Sequence, residues 1–490
     1  APVPEDFEKL DAKLLTEMLD EVTLSKEAQH KIVRRLTRTQ PHISVGIMSA
    51  ERIEFQMYPD GGGTRVATYR EGKIDYDGAL YDELFFEEQT PSTFFAEPTF
   101  ELHDVTIGKG FHWERRETQK FAGALKIIVE NNGLTAVNVI GVEDYLLSVI
   151  SSEMNQNSPE EFLKAHAVIS RSWVMAQLAH HGKIACDAAE RESFLKCRNI
   201  EEVVTWLAMH RHSAGNESNV PEAPSGETEY IRWYDRSDHR NFDVCADDHC
   251  QRYQGLTRAT ETSVQKAIDA TWGQVLTFGG ELCDARFSKC CGGTTELFST
   301  CWASDDKAYL PALPDTPGHL PLDTANADGT IVVPFCSLAD SPLLARVFNS
   351  YDRETTDFYR WTQVYELREL SALVREKSGV DIGELTAFEP LAKGASGRIF
   401  RLRVVGTKNS FIVGKELEIR RILSPSHLRS SAFDAEFTSD GRVILRGLGW
   451  GHGVGLCQIG AAVMADRGYG YRAILEHYYP GTQVSESLSK

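Results

Sequence analysis

Between Gly141 and Gly182 the spacing of apolar positions predicts two helices. The second opens at Ser158-Pro159-Glu160-Glu161, where Ser158 can cap, Pro159 takes the first helical position and Glu161 stands where a capping-box carboxylate reaches back. Gly182 offers its stop. Between them Phe162, Leu163, Ala167, Val168, Ile169, Trp173, Val174, Met175 and Leu178 fall on nearly every face, the pattern of a helix buried all round. Lys164, His166 and Arg171 interrupt it. Buried polar groups need partners, so these three are expected to line a polar cavity or to satisfy one another. The preceding VEDYLLSVIS reads as a short helix, which leaves Glu153 on the connection, a place where scaffolds present functional side chains.

Elsewhere the pattern is mixed. Residues 5–39 carry an amphipathic helical period, and from His42 short β-like runs take over. GALKIIVENNGLTAVNVI (123–140) predicts a hairpin with Asn132-Gly133 at the turn. Residues 183–235 are charged and include SAGNESNVPEAPSGETE, too poor in apolar residues to pack, so a surface loop is expected there. Two β-like runs precede Cys290-Cys291-Gly292-Gly293; a loop-rich stretch then gives way to the amphipathic LRELSALVREKSG and to two further strand-like runs, SGRIFRLRVVGT and FIVGKELEIRRIL.

With 490 residues the chain can bury a sizeable core, and 42% apolar with 25% charged residues is ordinary for a globular protein. No apolar run approaches the ~20 residues of a membrane helix. The first residues, APVPEDFEKL, lack the basic start and apolar stretch of a signal peptide, and the missing initiator Met is what a matured or trimmed chain would show. A net charge of −19 argues against nucleic acid or an anionic membrane as partner. Ten cysteines are too few for a disulfide scaffold at this length; metal ligation with a disulfide or two fits better.

The densest metal-type grouping is His239-Arg-Asn-Phe-Asp-Val-Cys245-Ala-Asp-Asp-His249-Cys250. Two thiolates and one or two imidazoles this close can converge on one Zn²⁺; the competing reading is a Cys245–Cys250 disulfide. His249 is read as an outer partner, because adjacent residues rarely both reach one metal. Cys290 and Cys291 stay open between a metal ligand, a disulfide to Cys283 or Cys301, and plain buried thiols. Cys186 and Cys197 could bridge a short loop, whereas Cys336 and Cys457 have no evident partner. Gly451-His452-Gly453-Val454-Gly455 lacks the setting of a nucleotide loop; its glycines suit close approach to a flat ligand or tight strand crossings. His452 and Gln458 could hydrogen-bond a sugar, and Tyr478 and Tyr479 either stack on pyranose rings or close the core.

Two stretches resemble the SpoIID/LytB family of bacterial cell-wall proteins. One comprises Val137-Asn138, Glu143-Asp144-Tyr145-Leu146, Glu153-Met154, Lys164-Ala165, Ala167 and Arg171-Ser172. The other runs from Gly451-His452-Gly453-Val454-Gly455 through Gln458 and Gly460-Ala461 to His477-Tyr478-Tyr479-Pro480-Gly481. The family usually reads His-Ser before the Gly-Gly turn, where this chain has Ser288-Lys289.

The resemblance implies a mixed α/β (α+β) domain of SpoIID type, discontinuous in sequence over 42–485. A central buried helix, strands from both ends of the chain, and insertions at 183–235 and 303–330 belong to that expectation; residues 1–41 form an amphipathic helical appendage. It also implies a peptidoglycan lytic transglycosylase with Glu153 as general acid and then base. The muramic acid C6 hydroxyl supplies the nucleophile, so one carboxyl in a partly desolvated site suffices. Expected substrate contacts are Lys164, Arg171, His452, Gln458 and Tyr478. A family variant with one His and two Cys near the active site places Zn²⁺ on His239, Cys245 and Cys250, about one ion per chain. Expected partners are glycan strands stripped of peptide and a cell-wall amidase, in the cell envelope, periplasmic or extracellular. The alternative is a non-catalytic glycan-binding activator of such an amidase.

Overall fold

A computed structural model describes residues 40–58, 63–87, 98–108, 114–180, 228–231, 239–247, 249–257, 262–302, 305–325, 329–349 and 357–486. The expected appendage lies outside these residues except for Gln40 and Pro41, as do the predicted Gly182 stop, the Cys186–Cys197 loop and all of the 183–235 insertion save its described segment at 228–231. The fold is mixed α+β.

One five-stranded sheet positions the first helix. Its strands are β1 (His42–Ala50), β2 (Glu83–Phe86), β3 (Ala124–Glu130), β4 (Gly133–Gly141) and β5 (Val244–Cys245), in the order β5-β1-β4-β3-β2. β3 and β4 form the predicted hairpin, but Glu130 pairs with Gly133, so the turn is Asn131-Asn132 and Gly133 already belongs to the strand. Both asparagines have positive φ (50° and 58°), which a two-residue turn of this hand requires and Asn tolerates.

β4 runs directly into α1 (Val142–Glu153). No local side chain caps this helix; Gln40 does so from about a hundred residues away, accepting from the Glu143 N–H at 2.7 Å and donating to Asp144 at 3.1 Å. α1 extends to Glu153 itself, so this residue lies in the last helical turn and not on the connection expected from the sequence. α2 (Glu160–His180) follows. The predicted capping box does not close: the Ser158 hydroxyl donates to the Asn155 carbonyl at 2.6 Å, and the Glu161 carboxylate accepts from Lys164 and from the distant Tyr471 N–H, both at 2.7 Å.

α2 is buried all round, as its pattern predicts, and its three polar interruptions neither line a cavity together nor satisfy one another. Each has found a partner elsewhere. Lys164 pairs with Glu160 and Glu161, and His166 lies between Ser170 Oγ and Gln458 Nε2, each at 3.1 Å. Arg171 forms a bidentate pair with Glu143 of α1 (Nε–Oε1 2.7 Å, Nη2–Oε2 2.6 Å), with both side chains 0% exposed. The remaining donors and acceptors of that pair are taken by the Gln274 carbonyl at 2.9 Å and the Gly273 N–H at 3.1 Å.

The last part of the chain closes over this helix pair. β6 (Gln274–Phe278) pairs antiparallel with β9 (Gln483–Glu486), and β7 (Phe287–Ser288) runs parallel to β8 (Leu456–Cys457). α3 (Gln458–Asp466) and α4 (Tyr471–Tyr478) reach α2 through Gln458–His166 and Tyr471–Glu161. A single core therefore extends from Ile43 to Tyr479. Strands from the two ends of the chain meet around α2 but belong to different sheets.

Within the span read as one domain, residues 361–445 enclose a second core of their own, built on a four-stranded and a three-stranded sheet. Thr228–Ile231, from the expected 183–235 insertion, lies parallel to Ser410–Gly414 in the former. The stretch 303–330, expected as a loop insertion, has few regular elements yet buries Leu310, Asp315 and Thr316 completely.

Removing one partner of a dry, fully bonded ion pair leaves an uncompensated buried charge. Arg171→Leu should therefore lower stability by about 3–5 kcal/mol in urea unfolding followed by circular dichroism. Glu143→Leu/Arg171→Leu should recover part of that loss.

Candidate functional site

Glu153 closes α1 with its side chain 8% exposed, and the chain turns away at Met154 in extended conformation. Asn349 Nδ2 covers the helix end by donating to the Ser151 and Ser152 carbonyls at 3.2 and 3.1 Å. Along the other side lies the segment Gln251–Gln254. Gln251 Oε1 accepts from the Tyr145 hydroxyl (3.2 Å), the Gln254 N–H donates to Ser148 Oγ (3.2 Å), and the Arg252 N–H donates to Glu153 Oε1 at 3.3 Å. Tyr253 stacks on Tyr145 at 5.2 Å. A backbone donor is thus aimed at the candidate acid by the segment that leaves Cys250.

That segment carries the metal-type group. Each of His239, Cys245, His249 and Cys250 offers one ligand atom, all within 4.8 Å of one another. His239 Nε2 and His249 Nδ1 are 3.3 Å apart, and Cys250 Sγ is 3.4 Å from the first and 3.5 Å from the second. Tetrahedral ligation at ordinary Zn–N and Zn–S lengths gives edges of about 3.3 Å between two nitrogens and about 3.6 Å between nitrogen and sulfur. The donor set fits. His249, read from sequence as an outer partner, belongs to the group because its Nδ1 turns inward. Cys245 and Cys250 are both free thiols, so the disulfide reading does not hold in this structure.

Two contacts position the group on the sheet. β5 places Cys245 opposite Gly46 of β1, and Asp243 Oδ2 accepts from the Ser44 N–H at 2.8 Å and the Ser44 hydroxyl at 2.6 Å. A Cβ at Gly46 would stand 2.6 Å from the Phe242 ring, which itself stacks on His239 at 4.9 Å. Only glycine lets the loop settle this closely. Hydrogen bonding from Cys250, together with His239 and His249, holds the Cys245 thiol far below its usual range, whereas the same pairing and burial push Cys250 up. Burial raises the Tyr145 hydroxyl well above its ordinary value, and the neighbouring Cys250, Tyr253, Cys245 and Glu153 add to it.

The residues expected to touch substrate are placed otherwise. Arg171 is sealed against Glu143; Gln458, 2% exposed, holds His166; and the Tyr478 hydroxyl, also buried, donates to Asp315 at 2.7 Å. Lys164 is a partly buried helix-surface ion pair. His452 accepts from the Val454 N–H at 3.0 Å with its ring 4.7 Å from Trp302. Burial and the nearby Arg286, Arg398 and Arg420 keep it well below the ordinary histidine range. Arg171, Gln458 and Tyr478 are thus buried and satisfied internally, whereas Lys164 and His452 are part-exposed. The glycine run serves crossings: Gly453, at φ 79°, passes so near the buried Arg398 guanidinium that a Cβ would stand 2.5 Å from it. Arg252 and Asn349 escaped the sequence reading altogether, since one acts through its backbone and the other through a contact about 200 residues long.

Burial lowers His166 from 6.5 to about 3, so the unfolded chain takes up a proton that the folded state refuses. Its neutral form contributes fully above about pH 6.5 and stability falls as pH drops toward about 3. Urea unfolding across this window should show that slope flattened in His166→Gln relative to the parent chain.

The family described as Stage II sporulation protein (SpoIID) matches residues 130–223 and 205–278, a span holding Glu153 and the Cys/His group. A domain of unknown function, DUF8618, matches residues 296–455. Stage II sporulation protein D of Bacillus subtilis is 23% identical over 374 residues, covering 76% of this chain and 82% of that one. An uncharacterized protein of Brachyspira hyodysenteriae is 25% identical over 365 residues, 74% and 72% of the two chains. The amidase enhancer of Bacillus subtilis is 28% identical over 255 residues, 48% of this chain and 34% of the enhancer. Family match, relatives and the motif-bearing helices α1 and α2 agree: residues 130–278 match the SpoIID family, and the chain is similar to SpoIID proteins over about three quarters of its length.

Proposed function

We propose that the chain is a cell-wall enzyme, a lytic transglycosylase that cleaves peptide-stripped MurNAc–GlcNAc strands in the periplasmic or extracellular part of the envelope. The observation that supports this most directly is Glu153, nine-tenths buried at the end of α1 and held by the Arg252 N–H. In this reading its carboxyl gives a proton to the glycosidic oxygen as the C1–O4 bond breaks. The carboxylate left behind takes the proton of the muramyl C6 hydroxyl as O6 bonds to C1, which regenerates the acid and leaves a 1,6-anhydro ring. The fixed N–H keeps the carboxyl oriented through both halves. Zn²⁺ on His239, Cys245, Cys250 and His249 would supply rigidity to the 239–254 segment, and the residues present fit it. The substrate's own hydroxyl is the nucleophile, so the metal has no water to activate.

A second reading is favoured by the amidase enhancer relative: a glycan-binding activator of a separate amidase. Digestion of denuded glycan followed by mass spectrometry should yield 1,6-anhydro-muramyl ends, and Glu153→Gln should abolish them while glycan binding persists. Reducing ends would mean hydrolysis. Absence of any product, together with stimulation of an amidase by both forms, would establish the activator reading instead.

Elemental analysis should show Cys245→Ser losing one equivalent of zinc relative to the parent chain, with a lowered melting temperature. Unchanged metal content would remove the ion from this segment.

A further inference from the structure

A second convergence of ligand atoms lies outside the segment just described, and it gathers the cysteines that had no partner in the sequence. Cys291, Asp315, Cys336 and Cys457 are all buried, and each places one ligand atom within 4.8 Å of the others. Cys291 Sγ is 3.6 Å from Cys336 Sγ and 3.5 Å from Asp315 Oδ2. Tetrahedral zinc would set those edges at about 3.8 Å between sulfurs and about 3.6 Å between sulfur and oxygen. We infer that Cys291, Cys336, Cys457 and Asp315 form a second, structural binding site for a thiophilic divalent cation, with Zn²⁺ the expected occupant.

Three further features fit thiolates and a carboxylate bound to a cation better than four groups merely buried together. Backbone N–H groups point at the sulfurs: Gly293 donates to Cys291 Sγ at 3.4 Å, while Cys291 and Gly460 donate to Cys457 Sγ at 3.2 and 3.4 Å. Such donors favour the charged form of sulfur. Asp315 is a fully buried carboxylate held by the Tyr478 hydroxyl at 2.7 Å and the Cys336 N–H at 3.1 Å, with His477 Nε2 3.5 Å away. Partners of this kind orient a ligating carboxylate. All three thiols are free, so none is committed to a disulfide. Soft thiolates with one carboxylate in a closed shell select zinc over the hard cations. Binding releases the thiol protons to solvent and needs no oxidant or reductant.

The placement says what the ion would do. Asp315 and Cys336 lie inside the 296–455 match, whereas Cys291 and Cys457 flank it. Four segments of the chain would be stapled within the first core, next to the C-terminal helices α3 and α4.

The test uses the full chain purified under reducing conditions with zinc supplied. In Cys245→Ser/Cys250→Ser, which disables only the first group, one zinc equivalent should remain. Cobalt exchanged into that variant should show thiolate-to-metal charge transfer of the intensity given by about three thiolates. Adding Asp315→Asn, which keeps the shape of the side chain, should speed loss of that ion to a chelator at least tenfold without unfolding the protein. A folded double variant free of metal would overturn the proposal. So would a Cys291–Cys336 or Cys336–Cys457 disulfide in peptide maps of the unreduced protein. Because the first group is absent from this background, failure of its zinc and failure of the second site are read separately.

Discussion

The Glu143–Arg171 pair is the constraint from which the site inherits its geometry. A guanidinium and a carboxylate without solvent exposure are tolerated only in one arrangement, with every remaining donor and acceptor bonded. That arrangement binds the start of α1 to the middle of α2 and to the edge of β6 at once. Glu153 lies ten residues along α1 from this anchor, a rigid lever of about 15 Å. The placement of the helix end that carries the candidate acid is therefore tied to its far end, and the Arg252 N–H holds the carboxyl itself.

The surroundings of Glu153 arrive by long-range contacts of a different kind. Ser44 and Gly46 of β1 receive Asp243 and Phe242, which settles the His239–Cys250 loop on the sheet edge. The chain leaving that loop then lies along α1 and delivers the Arg252 N–H. The metal-type group and the N–H donor to the acid are consecutive parts of one backbone path, so rigidity in the group is passed to Glu153 through that donor without a direct bond between their side chains.

The residues set aside from substrate contact have a coherent part in this scheme. Gln458 and Tyr471 tie the last two helices to α2, and Tyr478 fixes Asp315. In this fold the C-terminal motif is a clasp: its glycines let it pass Arg398 and its polar side chains lock it onto the central helix.

Local patterns in the sequence were enough for what depends on near neighbours: the all-round burial of α2, the hairpin at 124–141 and the grouping of Cys and His at 239–250; the mixed class and the role expected of Glu153 rested on the family resemblance. Hydrophobic period and turn chemistry act over a few residues and so can be read without a fold. They also explain the small misreadings. Asn131-Asn132, both at positive φ, form the turn in place of Asn132-Gly133 because Gly133 pairs with Glu130 in the ladder, and Glu161 left its capping box because the Tyr471 N–H competes for it. Partner choice was decided only by tertiary structure. Arg171 and Glu143, His166 and Gln458, and Cys291 and Cys336 are separated by 28, 292 and 45 residues, and a polar side chain announces its need for a partner without naming one. Which buried groups satisfy one another is settled when the core closes, because only then does each lose water and have to replace it.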